Sequence, residues 1–190
     1  MSSITSVKRN SFNTKNMVLI ALMSVFIAIC SWISVPLEVP FTLQTFAVFC
    51  TLMLLGGKNG LFSVMIYILL GAIGIPVFSG FTGGIGILLG TTGGYIVGFI
   101  FMALIFWAFE KIPVESKYGR MVLDIAAMIL GTAVLYAFGT AWFIYVYTAN
   151  TGEVSIWTAL KWCVIPFIPV DMIKIAAAAL VTKRIKKHVR

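Results

Sequence analysis

From Met17 to Val35 the chain runs without a single charged side chain. Long uncharged stretches recur from there to the C-terminus, each closed by glycine, proline or a small group of Lys and Arg. A membrane-crossing helix needs about 20 mainly apolar residues, with a range of about 17–25. The charge supply agrees with that demand. Charged residues make up 11% of the chain and apolar residues 61%, whereas a soluble domain is roughly 25% charged. So little charge cannot cover a soluble surface. An ordinary cytosolic enzyme, a disordered protein and a soluble nucleic-acid binder are thereby excluded, and one compact polytopic membrane domain remains. The net charge of +8 is read as topology, with no nucleic-acid partner.

Six spans are expected: about Met17–Val35, Thr42–Leu55, Gly60–Ile75, Gly86–Phe109, Met121–Tyr147 and Pro169–Val181. Residues 1–16 form a polar N-terminal tail that leads into an uncleaved first span, 17–182 a single six-helix domain, and 183–190 a basic tail. An even number of crossings puts both termini on one side. Lys8, Arg9, Lys15, Lys58, Lys111, Lys117, Arg120, Lys183, Arg184, Lys186, Lys187 and Arg190 then share that side. The opposite loops hold only Lys161. Cytoplasmic loops carry the excess of Lys and Arg, so both termini are expected in the cytoplasm. The external segments are about 36–41, 76–85 and 148–168.

Those external segments carry the polar and conformationally unusual residues. The first contains Glu38, Thr42, Gln44 and Thr45 in the run from Val35. The second lies within a stretch from Gly71 to Gly98 that is crowded with glycine. Its Pro76, Phe78, Phe81 and Tyr95 suit a folded lid with an apolar underside rather than a slack linker. Non-helical chain at membrane depth is tolerated only where protein or a watery cavity satisfies its backbone. The third contains Pro166–Phe167–Ile168–Pro169, followed by Asp171 and Lys174. Those two charges are three residues apart and share a helix face. Each costs at least about 2.5–3.5 kcal/mol inside a membrane, so they are expected to pair and face a cavity. Pro169 suits the first helical turn, and Asp171 is expected in that turn, near the positive end of the helix dipole. With Tyr67, Ser79, Thr82, Thr91 and Thr92, these groups describe an apolar pocket with a few convergent polar side chains.

Other chemistries lack material. Cys30, Cys50 and Cys163 form no CxxC, and the single histidine, His188, lies in the basic tail; no metal site, cofactor or catalytic triad is expected. Gly56–Gly57–Lys58–Asn59 is not a phosphate-binding loop, so any ATP drive comes from partners.

Taken in order, Pro40–Phe41–Thr42–Leu43–Gln44–Thr45, the glycine-rich pattern from Tyr67 to Gly94, and Pro166–Phe167–Ile168–Pro169 leading to Asp171 and Lys174 resemble the biotin-specific S component of energy-coupling-factor transporters, the BioY family. The resemblance covers nearly all of the chain after the tail. It implies an all-α six-helix membrane fold, capture of biotin from outside, and delivery with a transmembrane T component and two cytoplasmic ATPases. It points to Asp171, Lys174, Gln44, Thr42, Ser79, Tyr67, Phe78, Phe81, Tyr95 and Gly94 as substrate-binding residues. S components typically dock through small residues spaced AxxxA on the first helix. Here Ala21 is followed by Val25, and Ser24 and Ala28 supply a small-xxx-small pair; docking is expected through Ala21, Ser24 and Ala28. The residues themselves admit biotin without selecting it. Asp171 can accept a ureido N–H, Lys174 can donate to the ureido oxygen or offset Asp171, and the aromatics can cover the sulfur ring. An S component or secondary transporter for another small vitamin-like metabolite fits the same residues.

Overall fold

The computed structural model describes residues 14–37 and 39–189. Glu38 and most of the expected N-terminal tail lie outside the described residues. Helices account for most of the described residues: α1 (Thr14–Trp32), α2 (Gln44–Ala72), α3 (Ile85–Leu89), α4 (Gly93–Glu110), α5 (Lys117–Asn150), α6 (Ile156–Cys163) and α7 (Phe167–Val189). Two short strands, β1 (Ser34–Val35) and β2 (Phe41–Thr42), pair antiparallel between α1 and α2. Among the described residues, five stretches are long and apolar enough to cross a membrane: α1, α2, α4, α5 and the run Ile156–Lys186 that joins α6 to α7. The helical class agrees with the expectation, because a helix satisfies its own backbone where lipid cannot; the count differs from the six spans expected, since Thr42–Leu55 and Gly60–Ile75 fall largely within the one long helix α2.

α2 is not one straight rod. Gly56 adopts φ 79° and ψ 169° inside it, a left-handed φ that only glycine takes readily. A side chain added at Gly60 would come within 3.2 Å of Leu52 Cα, whereas residues eight apart in a continuous helix lie about 12 Å apart. The chain therefore doubles back at Gly56, and the two halves, 44–55 and 57–72, lie against each other. Glu110 accepts from the Gly57 N–H at 2.7 Å, so the end of α4 caps the second half.

Several boundaries differ from the sequence-based expectation. The stretch 86–109 is split into α3 and α4, because Gly90 ends α3 in an extended conformation and Gly93 packs directly on the Leu88 carbonyl. α1 begins at Thr14 and α7 continues through the basic segment to Val189, so the charges at 183–186 ride on helix rather than on a tail. The segment 148–168 contains α6, whose first turn is capped by the Ser155 hydroxyl, accepting from the Thr158 N–H at 3.2 Å. Asp171 is the fifth residue of α7, past the first turn that the sequence suggests for it.

Small residues set how closely the helices approach. Ser24 Oγ lies 2.9 Å from the carbonyls of both Ile20 and Ser63, which joins α1 to the second half of α2. Ser24 and Ala28 are therefore buried within the chain; of the three expected docking residues, only Ala21 lies on the exposed face of α1. Gly94 and Gly139 perform the same service between α4 and α5, where they admit the Trp142 and Tyr95 rings. Gly94→Leu puts a side chain into the Trp142 indole and is expected to destabilise the protein by about 1–3 kcal/mol, as overpacking does. Thermal unfolding of detergent-purified protein checks this, and an unchanged midpoint contradicts the close approach.

Candidate functional site

Three helix N-termini and one loop meet at one end of the bundle. Thr42 comes from β2, Gln44 and Thr45 from the start of α2, Thr92 and Tyr95 from the start of α4, and Phe167 and Asp171 from the start of α7. Phe78, Ser79 and Thr82 come from the loop that follows α2. They enclose a cavity of about 260 Å³. Leu135 and Tyr136 of α5, Ile96 and Phe99 of α4, and Cys163 of α6 complete its wall. The helix ends matter electrostatically, since free N–H groups give each N-terminus partial positive character.

Asp171 is the centre of the polar part, and its residue is 1% exposed. Its Oδ1 accepts from Thr45 Oγ1 at 2.9 Å and from Lys174 Nζ at 3.0 Å. Its Oδ2 accepts from the Tyr136 hydroxyl at 2.6 Å. Three donors thus fill three of the roughly four acceptor positions of a carboxylate, which leaves capacity for one more donor from the cavity. Lys174 is fully occupied. Its ammonium donates to the Thr42 carbonyl at 2.8 Å, to Thr45 Oγ1 at 2.9 Å and to Asp171, and it lies 4.5 Å from the centre of the Phe41 ring. An ammonium has three donors, so Lys174 neutralises and aims Asp171 from behind and does not reach the cavity wall.

Gln44 is also buried, and its Nε2 has no hydrogen-bond partner among the described residues. An unpaired buried donor costs about 1–3 kcal/mol, and the residue that carries it lines the cavity. Tyr95 is held in place differently, through its hydroxyl 2.9 Å from Thr140 Oγ1 on α5.

Of the ten residues expected to bind substrate, Asp171, Gln44, Thr42, Ser79, Phe78 and Tyr95 line the cavity, while Lys174, Tyr67, Phe81 and Gly94 do not. Tyr67 is buried behind Phe78 and meets it edge to face, with ring centres 5.5 Å apart. Phe81 is 64% exposed and stacks on Trp32 of α1 at 4.9 Å. Gly94 is spent on packing against Trp142. The important omission from that expectation is Tyr136. Its sequence signal is slight, a phenol in mid-span on α5, where a buried hydroxyl calls for a partner. Cys163 is missed because nothing in the sequence reading separates α6 from its loop.

The loop over the cavity is ordered. Phe78 and Thr82 pair across a tight turn, and the Gly84 N–H donates to the Gly71 carbonyl at 2.6 Å. Trp32 Nε1 donates to the Pro76 carbonyl at 2.9 Å, and the Ser31 hydroxyl donates to the Val77 carbonyl. Phe78 can lie flat against α2 because Gly71 has no side chain in its way. Phe81 itself has φ 57°, a conformation costly for a bulky residue.

A bundle of long apolar helices with a small, partly polar cavity at one end defines a multi-pass membrane protein of the solute-binding kind. Comparison with known proteins narrows this. The BioY family model matches residues 5–190; the chain belongs to that family. It is 38% identical over 167 residues to the biotin transporter BioY of Thermotoga maritima, covering 87% of this chain and 92% of that protein. It is also 38% identical to the biotin transporter BioY2 of Lactococcus lactis, over 90% of this chain and 88% of the relative. A crystal structure of the S component for biotin from an ECF-type ABC transporter superposes with a TM-score of 0.77, at 27% identity over 92% of each chain. These relatives are transporters, not enzymes.

The Asp171 network yields an ordering of stabilities. Lys174→Ala strands a buried carboxylate and is expected to cost about 3–5 kcal/mol. Tyr136→Phe removes one hydrogen bond to a charge, worth about 1.5–3 kcal/mol. Melting curves of the two ligand-free variants in one detergent test the order, and a Tyr136→Phe protein less stable than Lys174→Ala reverses it.

Proposed function

We propose that this chain is the substrate-capture S component of an energy-coupling-factor transporter, that it binds biotin from the outer side of the membrane, and that it delivers it with a transmembrane T component and two cytoplasmic ATPases. The chain crosses six times in this reading, with the halves of α2 as separate crossings and both termini cytoplasmic. The twelve-to-one distribution of Lys and Arg supports that orientation, since cytoplasmic loops hold the excess of basic residues.

The observation that carries the substrate is the polar end of the cavity. Biotin has a ureido ring with two N–H donors and a carbonyl, an apolar sulfur ring, and a four-carbon chain ending in a carboxylate. The remaining acceptor position of Asp171 takes a ureido N–H. The unpaired Gln44 Nε2 donates to an oxygen of the ligand, and Ser79, Thr82 and Thr92 surround the same space with hydroxyls. Phe78, Tyr95, Phe99 and Phe167 cover the apolar ring. The names of the relatives add support from a different direction. In the delivery step, Ala21 with its exposed neighbours on α1 offers the face to the T component, because Ser24 and Ala28 are already used inside the chain.

The test is equilibrium binding of a vitamin panel to the purified chain. Biotin is expected to raise the melting temperature, because a ligand that binds only the native state stabilises it. Stabilisation by riboflavin or thiamine and none by biotin overturns the substrate. Asp171→Asn keeps the shape and removes the charge, so biotin affinity is expected to fall about tenfold to a hundredfold. A change within about threefold takes Asp171 out of the site.

The segment 74–86 acts as the lid in the same proposal. It is pinned to α1 through Trp32 and Ser31 on one side and carries Phe78 over the cavity on the other. A spin label at Ile85, 59% exposed, is expected to lose mobility on adding biotin. An unchanged spectrum at saturating ligand leaves the segment static.

A further inference from the structure

At the opposite end of the bundle from Asp171 there is a second cavity, of about 660 Å³, between the start of α5 and the last turns of α7. Its charged lining is Lys117, Arg120, Asp124, Lys183 and Lys186. Four cations therefore face one carboxylate. That carboxylate is already taken: Arg120 Nη2 lies 2.8 Å from Asp124 Oδ1, and Arg120 Nε donates to the same oxygen. Arg120 also donates to the Glu110 carbonyl at 3.1 Å, which fixes it to the end of α4. Lys117, Lys183 and Lys186 have no carboxylate within ion-pair distance among the described residues. The cavity thus presents three unspent ammonium groups, the phenol of Tyr118 and the positive end of the 34-residue α5.

The surroundings say what kind of anion fits. Met53, Met121 and Ala179 form the apolar part of the lining. Val122, Ile129, Val181 and Ile185 lie exposed on the outer faces of the same two helices. A compact negative head beside a long apolar surface is the shape of an anionic phospholipid. Basic pockets between membrane helices on the cytoplasmic side suit such head groups. A soluble phosphate satisfies the cations equally but has no use for the apolar faces.

We infer that this cavity holds the phosphate head group of an anionic phospholipid of the inner leaflet, with its acyl chains against α5 and α7. The inference rests on the membrane orientation proposed above and not on the identity of the substrate.

Native mass spectrometry of the purified chain from mixed micelles tests it, with phosphatidylglycerol and phosphatidylcholine at equal concentration and matched acyl chains. The wild type is expected to retain phosphatidylglycerol in preference. Lys183→Gln/Lys186→Gln is expected to lower that preference about tenfold to thirtyfold, at about 1 kcal/mol for each cation near a lipid surface. Lys58→Gln/Lys111→Gln removes the same charge from the same end outside the cavity and is expected to keep it. Equal losses in the two variants, or no preference in the wild type, overturn the site. Inorganic phosphate or glycerol phosphate displacing the lipid at comparable concentration reassigns the cavity to a soluble anion and overturns the lipid. So does a wild type without lipid preference whose pocket lysines are required only for co-purification with the energising module, since the occupant is then protein. Biotin-induced stabilisation, recorded on the same samples, is expected unchanged in both variants. A chain that holds phosphatidylglycerol but ignores biotin refutes the substrate alone.

Discussion

A carboxylate buried in an apolar bundle must be fully accounted for, and the cavity end of this molecule is organised by that requirement at Asp171. Removing an ion from water costs several kcal/mol even after relaxation. Lys174, one turn further along α7, supplies the countercharge at 3.0 Å. Thr45 bridges the two, accepting from Lys174 and donating to Asp171. Tyr136 closes the far side from α5. Three elements distant in sequence, α2, α5 and α7, are thereby held in one relative position. The Thr42 carbonyl, drawn in by Lys174, extends the same constraint to the β1–β2 hairpin. The network is stabilised as a unit, and Asp171 lines the cavity.

Glycine governs the geometry around that network in two distinct ways. At Gly56 it supplies a left-handed φ that lets α2 fold back on itself. At Gly71, Gly94 and Gly139 it supplies absence, so that Phe78, Trp142 and Tyr95 occupy the volume a side chain would fill. The second use converts glycine-rich composition into a tightly packed wall. Trp142 then donates to the Gly90 carbonyl at 3.0 Å, satisfying a backbone group at the break between α3 and α4. Elsewhere the irregular chain between α2 and α4 is largely exposed, as at Ile73, Ile75 and Phe81, with Val77 and Phe78 turned into the bundle.

The two ends of the bundle have opposite electrostatic habits. At the end with the small cavity, Asp171 and Lys174 are internal, paired and shielded, while Glu153 and Lys161 lie exposed. At the other end, Lys117, Lys183 and Lys186 have no ion-pair partner among the described residues, beside the Arg120–Asp124 bridge. Charge that is paired inside fixes geometry; charge left unpaired at a membrane surface attracts an anion. The long helix α5 reaches both ends and contributes Tyr136 to one and Lys117 to the other.

The helical class, the apolar stretches and the Asp171–Lys174 pair are legible in the sequence, because each depends on local order: uninterrupted hydropathy, or two residues three apart on one helix. The β1–β2 pairing, α6, the split at Gly90 and the partnership of Tyr136 with Asp171 are not. The Tyr136–Asp171 contact joins residues far apart in the chain, a distance that one sequence does not record; the hairpin, α6 and the Gly90 break are local but leave no mark in a hydropathy pattern. The same reason explains why Phe81 and Gly94 read as cavity residues: residue type suggests contact with a ligand, while packing sends Phe81 to Trp32 and Gly94 to Trp142. Ser24 and Ala28 are alike in this respect, small enough for a partner helix but turned toward α2. Order along the chain dictates that this protein lives in a membrane as helices and carries a costly ion pair near one end. Which side chains complete that pair, and which face the cavity, is settled in three dimensions, because burial and direction are properties of the packed chain.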